Sequence, residues 1–231
     1  MRRRRLGQHF LHSQSVAKNI VDAASITKKD VVLEIGTGRG ILVLLLCEKA
    51  GKVVSIESDS SLYNMAKEKF SEISNLELLH GDGFTTEERF SIFVSNLPYS
   101  QSRDAIEWLA QKNYSHAIIM VQKEFAEKLF EKNTKAVSVL ANYVVNIEKI
   151  MDVRKNNFSP PPKVDSVVLK LTRKNTVPKE LIQTVNRLFS YKRKHLSNIF
   201  KQFGKHIESN KRLEDLSGDE IISLAKQLIK K

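Results

Sequence analysis

Between residues 31 and 95 short apolar runs alternate with stretches whose apolar residues recur at helical spacing. Val31, Val32, Leu33, Glu34 and Ile35 form a strand-like run that leads into Gly36-Thr37-Gly38-Arg39-Gly40. A helix is then expected up to Ala50, with the apolar stretch from Ile41 to Cys47 on its buried side, and Gly51 ends it. A second strand is expected over 53–57. Ser60 can cap the helix that follows, with Leu62, Met65, Ala66 and Phe70 turned inward. Further strands are expected over 76–80 and 90–95, a helix over 104–112 and a strand over 117–121. Near-continuous apolar strands alternating with helices predict an α/β fold, a parallel sheet covered on both faces.

After Val121 the rhythm changes. Two helical stretches, 124–131 and 136–145, precede strand-like runs over 148–153 and 165–172. Between those runs Phe158-Ser159-Pro160-Pro161-Pro162 is too rich in proline for helix or strand. From Lys174 onward the pattern is helical, with Leu188, Phe189, Leu196, Ile199, Phe200 and Phe203 spaced to form a small packed core. A boundary near Thr172 is expected, dividing the chain into 1–172 and 173–231.

Composition sharpens this picture chiefly through charge. The 231 residues hold 38 Lys and Arg against 26 Asp and Glu, a formal charge of +12. The tail from Lys174 carries thirteen of those bases against six acids, so more than half of the surplus sits there. Such a surplus points to a polyanionic partner, a nucleic acid or an acidic membrane surface. The longest apolar run is far too short to span a bilayer, and no apolar stretch follows Arg2-Arg3-Arg4-Arg5, so neither a membrane span nor a signal peptide is expected. Cys47 is the single cysteine, which excludes an internal disulfide framework and a cysteine-based zinc site. The six histidines lack ligand-like spacing, so no metal is expected, and a reducing, cytoplasmic compartment is.

The glycines after the first strand let the backbone turn sharply and approach a ligand closely. Their spacing after Glu34 departs from the dinucleotide G-x-G-x-x-G pattern. Glu57 ends the second strand, where a carboxylate can accept both hydroxyls of a ribose. Asp82 follows the third, placed to read an adenine amino group. Each acid alone is an ordinary surface or capping residue. At successive strand ends of a parallel sheet they stand where such folds bind nucleosides.

The fourth strand ends in Asn96-Leu97-Pro98-Tyr99. The bland reading is a proline turn; the chemical one concerns adenine. Its exocyclic nitrogen is a poor nucleophile because the lone pair is delocalised into the ring. Two acceptors for that NH2, Asn96 Oδ1 and the Leu97 carbonyl, would favour a tetrahedral nitrogen with a localised pair. Pro98 fixes the turn, and Tyr99 offers a face to an extruded base.

Asn96-Leu97-Pro98-Tyr99 resembles motif IV of the class I adenine-N6 methyltransferases, in the form used by the ribosomal RNA adenine dimethyltransferases. Gly7-Gln8-His9-Phe10-Leu11 resembles that family's G-Q-x-F-L, and Glu34 to Gly40 its E-I-G-x-G-x-G. Gln122-Lys123-Glu124-Phe125-Ala126 resembles its Q-K-E-x-A, the stretch from Phe158 to Ser166 its F-x-P-x-P-K-V-D-S, and Tyr191-Lys192-Arg193-Lys194 its basic C-terminal run. The motifs fall in the family's order along nearly the whole chain, and the small-subunit enzymes in archaeal or eukaryotic-like form are the nearest subgroup.

The resemblance implies a Rossmann-like, mostly parallel seven-stranded sheet with a small C-terminal all-helical domain, and S-adenosylmethionine as cofactor. It implies cofactor contacts from Gln8, His9, Leu11, Gly36, Gly38, Glu57, Asp82 and Asn96. Phe158 would be a second aromatic clamp facing Tyr99 across the target base, so Asn96, Leu97, Pro98, Tyr99 and Phe158 form the expected catalytic set. Arg2, Arg3, Arg4, Arg5, Lys192, Arg193 and Lys194 are expected to grip RNA phosphates. The implied reaction is dimethylation of two adjacent adenosines in a hairpin near the 3′ end of small-subunit ribosomal RNA, by a monomer. Two segments depart from the family pattern, Ser100-Gln101-Ser102-Arg103 and a shortened stretch from Leu129 to Val139; both are expected to border the target-base entrance. A large-subunit methylase of the erythromycin-resistance type, and a non-catalytic RNA-binding assembly or transcription factor on the same fold, share most of these motifs.

Overall fold

The computed structural model describes residues 9–131 and 135–229. Arg2, Arg3, Arg4, Arg5 and Gln8 lie outside the described residues. In chain order the strands are β1 (Phe10–Leu11), β2 (Val31–Ile35), β3 (Lys52–Glu57), β4 (Leu76–His80), β5 (Ile92–Ser95), β6 (His116–Gln122), β7 (Val145–Val153), β8 (Phe158–Ser159) and β9 (Ser166–Arg173). The α-helices are α1 (Gln14–Ala23), α2 (Val43–Lys49), α3 (Ser60–Lys69), α4 (Ser102–Leu109), α5 (Lys123–Phe130), α6 (Ala136–Val144), α7 (Lys179–Phe189), α8 (Leu196–Lys201) and α9 (Gly218–Ile229).

Seven strands form one sheet in the order β4-β3-β2-β5-β6-β9-β7. The pairs β4/β3, β3/β2, β2/β5 and β5/β6 are parallel, and β9 runs antiparallel to β6 with Ile119 opposite Leu169. The expected α/β class and mostly parallel sheet are therefore present. The chain steps outward from β2 to β3 and β4, then returns to lay β5 on the other side of β2. That reversal leaves a crevice at the carboxyl ends of β2 and β5, the usual ligand site of such sheets. The Ser95 hydroxyl donates to the Ile35 carbonyl at 2.5 Å and ties the two strand ends together.

Burial follows the apolar pattern closely in the central strands. Val32, Leu33, Phe93, Val94, Ala117 and Ile118 are all buried, as strands covered on both faces require. Helix α1 shows why an amphipathic segment settles here. Ala17, Ile20 and Val21, spaced for one face, are buried, and the Ser13 hydroxyl accepts from the Val16 amide at its start. Helix α3 departs from expectation. Asp59, not Ser60, caps it, its carboxylate accepting from the Ser61 and Leu62 amides at 2.8 and 3.1 Å, because an ionised acceptor suits the positive helix end better than a hydroxyl. Of its proposed inward face Ala66 and Phe70 are buried, while Met65 is 61% exposed. The small sheet of β1 paired with β8, Phe10 opposite Ser159 and Leu11 opposite Phe158, is too short to leave a periodic signal.

The described residues divide into two compact units. One comprises 9–105, 113–126 and 148–172; the other 106–112, 127–131, 135–147 and 173–229. The chain crosses for the last time at Thr172, where the sequence suggested one boundary, but two earlier segments belong to the second unit as well. In that unit α6, α7 and α9 pack on one another. Pro178 starts α7, whose Leu181, Ile182, Val185 and Leu188 are buried on one face. Leu196, Ile199 and Phe200 are buried as expected, whereas Phe189 and Phe203 are half-buried, the latter beneath the Arg187 guanidinium 4.2 Å from its ring centre.

Candidate functional site

The crevice at the ends of β2 and β5 opens into a cavity of about 420 Å³, lined wholly by residues of the first unit. His9, Leu11, Gly36, Gly38, Glu57, Asp82, Asn96, Leu97, Pro98, Tyr99 and Phe158 all line it, so the described site residues proposed for cofactor and catalysis meet in one place. Segments separated by more than a hundred residues converge there, because β1 and β8 pair beside the sheet ends.

The glycine turn is built around Glu57. Gly36 and Gly38 adopt φ of 86° and 56°, a region that side chains strongly disfavour. In this conformation the Gly38 amide donates to Glu57 Oε2 at 2.8 Å, while the Asp59 amide donates to Oε1 at 2.9 Å. Glu57 is 4% exposed and each of its oxygens keeps a second acceptor direction. Two further hydrogen-bond donors, such as a pair of ribose hydroxyls, could therefore be accommodated. Asp82 stands exposed past β4, its carboxylate accepting from the Phe84 amide at 3.0 Å.

Beneath the turn lies a second carboxylate. Glu34 is 1% exposed and accepts from the Ser55 hydroxyl at 2.5 Å; Ser55 in turn lies 2.6 Å from the Thr37 hydroxyl. Burial pushes the Glu34 carboxyl up to about 8, opposed by the Ser55 hydrogen bond and reinforced by the nearby Glu57 charge.

At the end of β5, Asn96 is half-buried, and among the described residues its side-chain amide has no hydrogen-bond partner. Leu97 is buried, and Pro98 leads into a short turn over Tyr99–Gln101. The Tyr99 hydroxyl lies 2.6 Å from that of Ser166, which is fully buried at the start of β9. Among the described residues the ring facing Tyr99 is that of His9, with centroids 6.0 Å apart. Phe158, expected in that position, is 3% exposed and belongs to the apolar cluster with Leu11 and Ile20, because pairing with Leu11 turns its side chain inward.

Three contributors were not singled out from the sequence. Ser166 and Phe10 both stand inside stretches that were recognised, yet nothing in a linear motif says which members touch. The Phe10 ring supports Arg39, whose guanidinium sits 4.5 Å from its centre. Ser55 carried no signal at all. Of the segments that depart from the family pattern, Gln101 lines the cavity, while 129–131 and 135–139 fall in the second unit and 132–134 lie outside the described residues. Lys192, Arg193 and Lys194 follow α7 in the second unit, with Arg193 and Lys194 exposed and Lys192 half-buried. Among the described residues no cluster of His, Cys, Asp or Glu is arranged to hold a metal, and no helix is long and apolar enough to cross a membrane.

The family model described as ribosomal RNA adenine dimethylase matches residues 1–230. The chain is 34% identical over 233 residues to the ribosomal RNA small subunit methyltransferase A of Thermotoga maritima, covering 96% of this chain and 84% of that protein. It is 37% identical over 210 residues to a probable ribosomal RNA small subunit methyltransferase A of Methanococcoides burtonii, covering 87% and 77%. Among solved structures it is similar to a dimethyladenosine transferase from Plasmodium falciparum, with a TM-score of 0.77, 28% identity and coverage of 94% and 96%.

Proposed function

Because the chain belongs to the ribosomal RNA adenine dimethylase family, we propose that it transfers methyl groups from S-adenosylmethionine to N6 of two adjacent adenosines near the 3′ end of small-subunit ribosomal RNA. It is a class I methyltransferase, and that class uses S-adenosylmethionine. The relatives from Thermotoga and Methanococcoides bear small-subunit names, which favours that substrate over the large-subunit reading. The observation that carries the catalytic reading is the unpartnered Asn96 amide beside Leu97, Pro98 and Tyr99, in the same cavity as Glu57 and the glycine turn. An assembly factor without chemistry has no need of that arrangement.

The cavity suits the cofactor by its donor set: a buried carboxylate with free acceptor directions for a ribose, and glycine backbone without Cβ atoms against the chain of a bound nucleoside. Glu57 would hold the ribose, Asp82 the adenine amino group, and Gly36, Gly38, His9 and Leu11 the remaining wall. Gln8 is assigned to this set from its place in the motif. When bound, the cofactor supplies an electrophilic sulfonium methyl group.

The protein's own part is positioning. Asn96 Oδ1 and the Leu97 carbonyl accept from the target amino group and localise its lone pair for in-line attack. Pro98 holds that carbonyl in the turn, Tyr99 stacks against the extruded base, and Phe158 lends the wall an apolar ring. Lys192, Arg193 and Lys194, with Arg2, Arg3, Arg4 and Arg5, bind RNA phosphates without reading sequence.

Incubation with labelled S-adenosylmethionine and unmethylated small or large ribosomal subunits, followed by mapping of the modified nucleotides, tests this reading. Label in N6,N6-dimethyladenosine near the small-subunit 3′ end is expected. Label confined to the large subunit would transfer the assignment to the resistance-type reaction, and tight subunit binding without label would favour an assembly role.

A further inference from the structure

Arg39 is the charged member of the glycine turn, and its side chain is exposed. The guanidinium lies over the Phe10 ring, 4.5 Å from its centre, and that ring also packs against the turn at Gly38. Stacked on one face, a flat guanidinium keeps its N–H edges for a ligand. Lys69, in the last turn of α3, donates to the Arg39 carbonyl at 3.3 Å and stands 4.8 Å from the centre of the Phe70 ring. An ammonium has three donors, so two remain. Both side chains are exposed, and among the described residues neither is ion-paired.

The two cations border a groove lined by Gly38, Arg39, Met65, Ala66, Glu68 and Lys69. Met65 is 61% exposed, the most exposed large apolar side chain among the described residues. Two positive charges thus stand against one acid beside an apolar surface, a combination that suits a nucleotide. Its phosphate accepts from Arg39 and Lys69 while its sugar or base lies on the thioether. The groove continues the cavity, since Gly38 and Arg39 line both. A short chain of contacts joins it to the catalytic end: the Tyr99 ring faces His9, Phe10 follows His9, and Arg39 covers Phe10. An adenosine delivered to Asn96 stays attached to its strand, so the nucleotides beside it have to cross the rim of the cavity.

We propose that this groove seats a nucleotide flanking the target adenosine, its phosphate held by Arg39 and Lys69 and its sugar or base against Met65. This rests on the adenine-N6 reading of the cavity and adds to it a site for the RNA strand outside the pocket of the reacting base. Arg39 and Lys69 touch no reacting atom. They position the strand, giving affinity and register without reading sequence.

The test uses the full chain, the double variant Arg39→Gln with Lys69→Gln, and Met65→Ala, with a hairpin RNA of the small-subunit 3′ end. Glutamine keeps a donor for the Arg39 carbonyl, and all three positions are exposed, so each variant is expected to melt as wild type does. RNA affinity is read against salt, and again with single phosphates near the target adenosines replaced one at a time by uncharged methylphosphonates. S-adenosylmethionine affinity is read by calorimetry. The double variant is expected to bind RNA roughly ten-fold more weakly, with a salt slope shallower by about one and cofactor affinity unchanged. One methylphosphonate position close to the target should weaken wild type and leave the double variant unaffected. Met65→Ala should weaken binding roughly three- to ten-fold with the slope unaltered, because the contact it loses carries no charge. An unaltered slope in the double variant, the same methylphosphonate profile as wild type, or full RNA affinity in Met65→Ala would each overturn the proposal. So would a fall in cofactor affinity that accounts for the whole loss. Wild-type protein that methylates no ribosomal adenine would instead overturn the underlying reading, and that result is seen before any variant is made.

Discussion

The hydroxyl of Tyr99, at the end of the fourth parallel strand of the chain, lies 2.6 Å from that of Ser166, which opens the antiparallel strand β9. Ser166 is fully buried, and burial pushes the Tyr99 phenol upward, so both groups stay neutral at working pH. This hydrogen bond fixes the edge of the ring proposed to receive the base. Ser166→Ala is expected to cost about 1 kcal/mol in transition-state stabilisation, the usual worth of one neutral hydrogen bond. Turnover should fall several-fold with cofactor affinity unchanged. Adding Tyr99→Phe to Ser166→Ala should cost little more, and additive losses in the double variant would show that the two hydroxyls act separately.

Asn96→Ala removes the side-chain acceptor proposed to act on the target nitrogen. Methyl transfer is expected to fall by at least about a hundred-fold, the usual cost of removing one preorganised transition-state interaction. Thermal stability and RNA affinity should change little, because Asn96 has no partner among the described residues. Activity near that of wild type would remove Asn96 from the mechanism.

Glu34 ties stability to pH. Its carboxyl is raised from 4.5 to about 8, chiefly by burial, so the folded protein keeps a proton that the unfolded chain releases. The stabilising contribution is complete below pH 4.5 and is lost as pH rises toward about 8. Glu34→Gln cannot ionise, and its amide oxygen can still accept from Ser55. The variant's free energy of unfolding should therefore decline less between pH 5 and pH 8, by an amount on the order of a few kcal/mol. Parallel melting curves for the two ligand-free proteins across that range would refute the assignment.

Gly40 combines φ of 75° with a close neighbour: a Cβ there would stand 2.3 Å from the Phe70 ring. Gly40→Ala must both strain the backbone and displace a buried aromatic. A loss of about 2–6 kcal/mol is expected by summing the two effects, read as a lowered denaturation midpoint. A change below about 0.5 kcal/mol, ordinary for a surface substitution, would mean that the turn relaxes freely.

Replacing Lys192, Arg193 and Lys194 together by Gln should weaken RNA binding uniformly across sequences. The slope of log affinity against log salt should become shallower by about 2–3, close to one unit for each phosphate no longer neutralised. An unaltered slope would place the RNA grip elsewhere.

Much of the molecule was legible in the order of residues. The alternation of apolar runs with helical spacing determined the α/β class, since a strand buried on both faces has to be apolar throughout and a covering helix on one side only. The glycine turn, Glu57, Asp82 and Asn96 could be placed at strand ends because a parallel sheet sets its ligand groups there. Local chemistry of that kind survives in a sequence because it needs only neighbours. What the tertiary structure decided depends on groups far apart in the chain. The pairing of β1 with β8 brings His9 to Tyr99, puts Phe158 in the core and joins His9 to Pro160. Ser166 finds Tyr99 only because β9 lies antiparallel beside β6. Two-residue strands have no period to read, and a hydroxyl's partner across the sheet is set by register rather than by its neighbours in sequence. The cap of α3 turned on a similarly fine difference, Asp59 against Ser60, settled by the stronger attraction of an ionised oxygen for free amides.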